Sequence, residues 1–263
     1  MTTSPVPAQH PPDVPAGRRR IPLRATCAQP HACSPEVRFR VLQHVDLFRD
    51  LTPDQLASVN ARMIALSWAE GDPLHQAGES ADHLYVLASG RAKAFRPTAD
   101  GRDVVIDLLA PGDLFGGLRS LGRPQHTETV QALTTVCALR IDTAAFREIL
   151  TDLPPVALRV LDSVSAQLAD ARSSVTQQST ATVAQRVAAT LLRLAGKFGE
   201  TGRDGILLQI PLSRADLAGM TGSTTESVSR AMSRLRRDGI VDSGRRWTAI
   251  LDHDRLAELA AQD

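Results

Sequence analysis

Three observations on this 263-residue chain predict an α+β protein: a β roll, then a long helix, then a C-terminal winged helix-turn-helix. Short β-prone runs separated by Gly and Asp turns fill Ile64 to Leu139. An apolar seam alternating by four and three residues follows Pro155. Residues 212–238 read as two short helices joined by a tight turn, the second polar and Arg-bearing.

Residues 1–20 are Pro-rich and close on Arg18-Arg19-Arg20, so a disordered tail is expected over 1–24. Glu36 to Leu47 reads as a short helix. Thr52-Pro53-Asp54 opens another, with an N-cap Thr, Pro at the first helical position and an acid in the first turn. Strands are expected at Leu84–Leu87, Ala92–Phe95, Val104–Leu109, Thr129–Leu133 and Val136–Ile141, and a short helix at Ala144–Leu150. Leu153-Pro154-Pro155 punctuates the chain before a helix reaching about Gln178. Its seam of Ala157, Leu161, Val164, Leu168, Ala171 and Val175 is narrow, which suits one partner helix in a homodimer better than packing on the chain's own β domain.

Ala184–Ala195 is helical and Ile206–Ile210 a short strand. In the two-helix unit Leu217 and Ala218 sit where the first helix packs closely, and Gly222 falls where a sharp turn calls for positive φ. Val228, Met232 and Leu235 form an inward stripe, and Glu226, Ser229 and Arg230 lie on a different face. Such a helix packs on one side and presents a groove-reading surface on the other. Gly239 stops it, and Ile240–Leu251 reads as a hairpin wing turning at Ser243-Gly244.

The net charge of +1 hides an uneven distribution: Ser213 to Arg246 holds seven Arg and four acids, a local balance that suits a phosphate backbone. No apolar run reaches the ~18–20 residues of a membrane span, and no signal-peptide core opens the chain, so the cytoplasm is the expected compartment. Three Cys are too few for a disulfide scaffold. No paired carboxylates, nucleophile–base pair or phosphate loop points to an enzyme.

In this order the three units resemble the Crp/Fnr family of bacterial transcription regulators, over about Leu42 to Ala261. The motifs that carry the resemblance are Gly78-Glu79, Leu84-Tyr85-Val86-Leu87-Ala88-Ser89-Gly90, Pro111-Gly112-Asp113-Leu114-Phe115-Gly116 and Thr225-Glu226-Ser227-Val228-Ser229-Arg230. The resemblance implies a cyclic-nucleotide-binding-type roll within a sensor domain at 25–150, a dimerisation helix at 151–180 and a DNA-binding domain at 181–263. It implies a homodimer on double-stranded DNA, with RNA polymerase as a further partner. Glu226-x-x-Ser229-Arg230 is similar to the Fnr-type reader of near-palindromic, TTGAT-like half-sites. Arg230 can donate twice to a guanine, Glu226 can accept from a cytosine amino group, and Ser229 can touch a thymine. The expected DNA contacts are Ser223, Thr224, Thr225, Glu226, Ser229 and Arg230.

The signal has several candidates. Cyclic-AMP-binding members carry Glu after Phe-x-Gly and an Arg-Ser/Thr pair; here the first position is Gly117 and His126-Thr127 lacks the Arg, so Arg119 or Arg123 would have to replace it. Cys27-x3-His31-x-Cys33 is similar to part of the Fnr iron–sulfur motif, although Arg24 stands where its first Cys would be. Cys137 lies on a late strand like the distant Fnr ligand. The resemblance thus implies an oxygen-, nitric-oxide- or redox-sensing iron–sulfur cluster on Cys27, Cys33 and Cys137, with His31 as a further donor. Open alternatives are zinc or a disulfide switch at Cys27 and Cys33, haem on His75, His83 or His126, and a small ligand in the roll. Cys137 also reads as an ordinary small core residue, and His75 as core packing.

Overall fold

The chain, seen in a computed structural model, is described at residues 34–98, 103–116, 125–202, 205–244 and 246–261, without the side chains at 167, 170, 171 and 173–180. The expected tail, Cys27, His31 and Cys33, the loop positions Gly117, Arg119, Arg123 and Pro124, and the side chains of Ala171 and Val175 all lie outside the described residues.

Helix α1 (Pro35–Gln43) is capped by Ser34, a 3-10 turn follows at Asp46–Phe48, and α2 (Pro53–Ala61) starts at the predicted Thr52. Thr52 accepts from the Gln55 amide while the Gln55 side chain accepts from the Thr52 amide, a reciprocal capping box. Eight antiparallel strands follow: β1 (Ile64–Trp68), β2 (Pro73–His75), β3 (His83–Ser89), β4 (Ala92–Pro97), β5 (Asp103–Leu109), β6 (Leu114–Gly116), β7 (Thr129–Ala132) and β8 (Val136–Asp142). They form two four-stranded sheets, β1-β8-β3-β6 and β2-β7-β4-β5. The expected strands are present; β1, β2 and β6 complete the sheets, and the two short ones carried too few residues for a period to show.

β3 explains why the roll reads as continuous apolar runs. Leu84, Val86 and Ala88 pack against α1, α2 and the following helices, whereas Tyr85 and Leu87 point into the roll. Both faces are buried, so alternation is absent. Phe48, Phe146 and Ile149 anchor the helical side, each contributing roughly 1.5–3 kcal/mol by burial.

Helix α3 (Thr143–Asp152) leads into α4 (Pro154–Thr180) and α5 (Val183–Phe198). Thr182 caps α5 in a second capping box with Gln185. The C-terminal unit comprises β9 (Gly199–Gly202), β10 (Gly205–Leu208), α6 (Arg214–Thr221), α7 (Thr225–Arg237), β11 (Val241–Gly244), β12 (Trp247–Ile250) and α8 (His253–Ala261), with a sheet in the order β11-β12-β10-β9. The wing does not turn at Ser243-Gly244: Gly244 is still paired, opposite Trp247. A Cβ on Gly244 would meet the Trp247 indole at 2.3 Å, so this glycine makes room for a ring instead of a bend. Helix α8 was not expected; its buried Leu256 seats it in the C-terminal core.

Candidate nucleic-acid interface

The turn between α6 and α7 is set by Gly222, which caps α6 at φ 57°, ψ 41° as the sequence predicts. α6 begins with Ser213, whose side chain accepts from the Asp216 amide, while the Asp216 carboxylate accepts from the Ser213 amide. α7 begins with Thr224, which accepts from the Ser227 amide at 3.2 Å. Val228, Ala231, Met232 and Leu235 are buried, so the predicted stripe holds with Ala231 added. Arg234, Arg236 and Arg237 in the last turn oppose the helix dipole favourably.

On the outer face Thr225, Glu226 and Arg230 are exposed and Ser229 is half-buried. Arg230 donates to the Ser227 hydroxyl at 3.1 Å, which orders its long side chain before any partner arrives. Thr224 is engaged as the cap. Ser223 accepts from Arg186 at 3.1 Å and donates to the Thr221 carbonyl at 3.2 Å. Their hydroxyls therefore hold the turn that aims the other four. Arg186 was missed at the sequence level, because a helical Arg carries no local mark of a partner in a distant turn. The capping pairs at Ser213 and Thr182 did carry one, the Ser/Thr-x-x-Asp/Gln spacing.

The unit is seated on the roll. Val105 and Leu108 of β5 share its core. Lys93 Nζ lies 3.2 Å from Asp216 Oδ1 with both side chains largely buried. Lys197 lies 2.7 Å from Asp113 and 3.3 Å from Asp107. A Cβ on Gly219 would meet the Asp103 carbonyl oxygen at 2.5 Å, so this helical glycine admits the β5 backbone.

Along α4, Leu161, Val164 and Leu168 are exposed at 61%, 44% and 52%, so the helix does not cover these residues of the seam with its own β domain. Leu158 is exposed as well, widening the stripe beyond the predicted positions.

In the roll, His75 and His126 are buried and stack with centroids 3.8 Å apart and planes 16° from parallel. Tyr85 and Phe115 lie beside His75. Neither His75 ring nitrogen has a hydrogen-bond partner of good geometry. Burial, then the adjacent His126, hold His75 down at about 3, against a small upward pull from the Glu128 backbone. Burial also lowers His126, opposed by Glu79 and Glu128. Both rings are neutral at pH 7. His83 instead pairs with Asp142 at 3.0 Å at the roll's edge.

Cys137 is fully buried, on the β8 face that joins the helical layer with Leu139 and Ile141. That layer begins at Ser34, immediately after Cys33. Among the described residues no group of three or more His, Cys, Asp or Glu is arranged to hold a metal ion. The proposed donor set is therefore represented here by Cys137 alone. Among the described residues no helix is long and apolar enough to cross a membrane.

Comparison with known proteins agrees with this layout. Residues 65–152 match the cyclic nucleotide-binding domain family and residues 185–259 the Crp-like helix-turn-helix domain family. The CRP-like cAMP-activated global transcriptional regulator of Mycobacterium tuberculosis is 26% identical over 220 residues, 84% of this chain and 98% of that protein. The fumarate and nitrate reduction regulatory protein of Escherichia coli K12 is 24% identical over 207 residues, 79% of this chain and 82% of that one. Among solved structures, FixK2 from Bradyrhizobium japonicum superposes with a TM-score of 0.69 at 25% identity, covering 76% of this chain and 98% of its own. Roll, helices and winged helix-turn-helix thus recur together and in order, and the chain belongs to the Crp/Fnr family of transcription regulators, which bind DNA and are not enzymes.

Proposed function

We propose that the protein works as a homodimer that reads two near-palindromic, TTGAT-like half-sites with α7. One observation carries the reading: Glu226 and Arg230 stand exposed one turn apart on a helix whose other face is fully buried and whose start is capped. Arg230 donates to guanine, Glu226 accepts from a cytosine amino group, and Thr225 and Ser229 make the shorter contacts; Ser223 and Thr224 hold the turn. The exposed Leu161, Val164 and Leu168 of α4, continued by Ala171 and Val175, form the dimer seam. Two-fold symmetry then places the reading helices about one DNA turn apart. At a promoter such a dimer meets RNA polymerase, in the cytoplasm. The test is binding to duplexes altered at the guanine: Arg230→Ala should lose that discrimination, and unchanged discrimination overturns the assignment.

For the signal we propose an iron–sulfur cluster on Cys27, Cys33 and Cys137, with His31 as a further donor. Its support is the burial of Cys137 under the helical layer that begins next to Cys33. Bound there, a cluster supplies ligation chemistry sensitive to oxygen or nitric oxide. The chain supplies thiolates and an apolar cover shared with Val156 and Val160 of α4, so opening that cover to ligate Cys137 would reach the dimer helix. A second reading, a ligand within the roll, is favoured by the buried His75–His126 pair. The visible spectrum of anaerobically purified protein, with iron and sulfide assays, separates them. A broad band that bleaches in air supports the cluster, and a sharp Soret band supports haem. Colourless, iron-free protein overturns the cluster and haem and leaves a zinc or thiol switch, or a colourless roll ligand such as a cyclic nucleotide, to direct zinc assay and ligand titration.

A further inference from the structure

We infer that Arg186 is a positioning residue: one guanidinium ties the joint at the end of the dimer helix to the turn that aims the reading helix. The inference rests on the dimeric, α7-reading function proposed above. α4 ends at Thr180 and α5 begins at Val183, so Ala181 and Thr182 are the whole joint between them. Arg186, in the first turn of α5, donates through Nη1 to the Ala181 carbonyl at 2.8 Å and through Nη2 to the Ser223 hydroxyl at 3.1 Å. Ser223 passes the connection on, donating to the Thr221 carbonyl at 3.2 Å. Thr221 is the last residue of α6, and the left-handed Gly222 follows it. A continuous run of hydrogen bonds therefore reaches from the joint to the α6–α7 turn.

The side-chain chemistry suits this task. A guanidinium is planar, permanently charged and carries five donors in a rigid fork, so it can serve two acceptors on different elements at once. A lysine keeps the charge but not the fork. The acceptors are also of the kind a strut needs. Ala181 reports where α4 ends, and Ser223 sits one residue before the cap of α7. The body of α5 packs on the same core as α6 and α7, through Val187, Leu191 and Leu194. Besides the contacts of the reading unit with the roll, the joint is the direct link between dimer helix and reading unit, and Arg186 braces it. In a two-fold dimer the angle between α4 and α5 sets the separation of the two α7 helices. Arg186 thereby helps to fix the half-site spacing that the dimer accepts.

The experiment uses the full-length protein and duplexes carrying two inverted TTGAT half-sites about one turn apart, or with one base pair added or removed between them. Wild type should prefer one spacing by at least about fivefold, the range of a typical coupling between sites. Arg186→Lys should bring the spacings within about twofold of one another while keeping the preference for guanine, which shows that α7 is intact. Ser223→Ala should narrow the spacing preference to the same extent, and the double variant should go no further, because both changes cut one bridge. Ser223→Ala removes a single hydroxyl and keeps the test decisive even where Arg186→Lys lowers thermal stability. Wild-type spacing preference in both single variants, or effects that multiply in the double variant, overturns the role of Arg186 alone. A wild type indifferent to spacing overturns the dimeric reading and this inference together.

Discussion

Towards the C-terminus three successive helices are each started by a side chain next to them: Thr182 for α5, Ser213 for α6 and Thr224 for α7. In the roll, β8 lies between β1 and β3, and the buried His75–His126 pair brings the end of β2 against the segment that leads into β7, its neighbour in the sheet but distant in the chain. Two kinds of functional site follow. The reading surface is one face of one helix, and its residues stand four positions apart because the helical period puts them there. The His75–His126 stack of the roll is instead assembled from side chains that meet only after the roll has closed. Local sites tolerate redesign one side chain at a time; assembled ones answer to the packing of the whole layer.

The comparison can be broken first at the dimer helix. Leu161→Asp with Leu168→Asp should leave both folded units intact but yield monomers by sedimentation. Affinity for a two-half-site duplex should fall by about 10²–10⁴-fold as the second contact ceases to be intramolecular. Arg230→Ala comes next: discrimination at the guanine should fall by roughly 1–3 kcal/mol in competition titrations, with thermal stability unchanged. The local character of the reading unit is refuted if unfolding shifts instead.

The roll's assembled character predicts a pH effect. His75 is held far below its unfolded value, so the unfolded chain binds the extra proton as pH falls below about 6.5. The stability tied to its neutral form is present above that pH and is lost as pH falls toward about 3, with His126 acting in the same direction. Between pH 7.5 and pH 5 the single group amounts to about 2 kcal/mol. His75→Phe, beside Tyr85 and Phe115, should flatten that slope in urea titrations at the two pH values. The smallest effect lies where the regions meet. Lys93→Met leaves Asp216 its bonds from Ser213 but removes its largely buried ion pair, for a loss of about 1–2 kcal/mol in thermal unfolding.

Much of the fold was legible because its signals are short-range. The Thr52 cap, the glycine at 222 and the stripe of Val228, Met232 and Leu235 each occupy a few consecutive turns. What the sequence did not show has a common cause. Gly244 looked like a turn residue, and only the Trp247 ring lying over it explains why it stays in the strand. Ser223 is marked in the sequence only by its place before α7, and only the fold shows that its hydroxyl is bonded to Arg186 and Thr221. Lys93 and Asp216 carry ordinary surface chemistry in one dimension and become partners only when α6 docks on β4 and β5.

By itself the sequence determined the order of units, the capped start of α2, and which residues of α7 face outward. Helix period and backbone capping act within one or two turns, so they need no knowledge of the rest of the chain. Tertiary structure alone decided which of those outward residues are bonded inward, that Cys137 lies beneath the helical layer, and that two histidines share one buried stack. Strand pairing and core closure bring distant positions within a few ångströms, and no local pattern records which ones will meet.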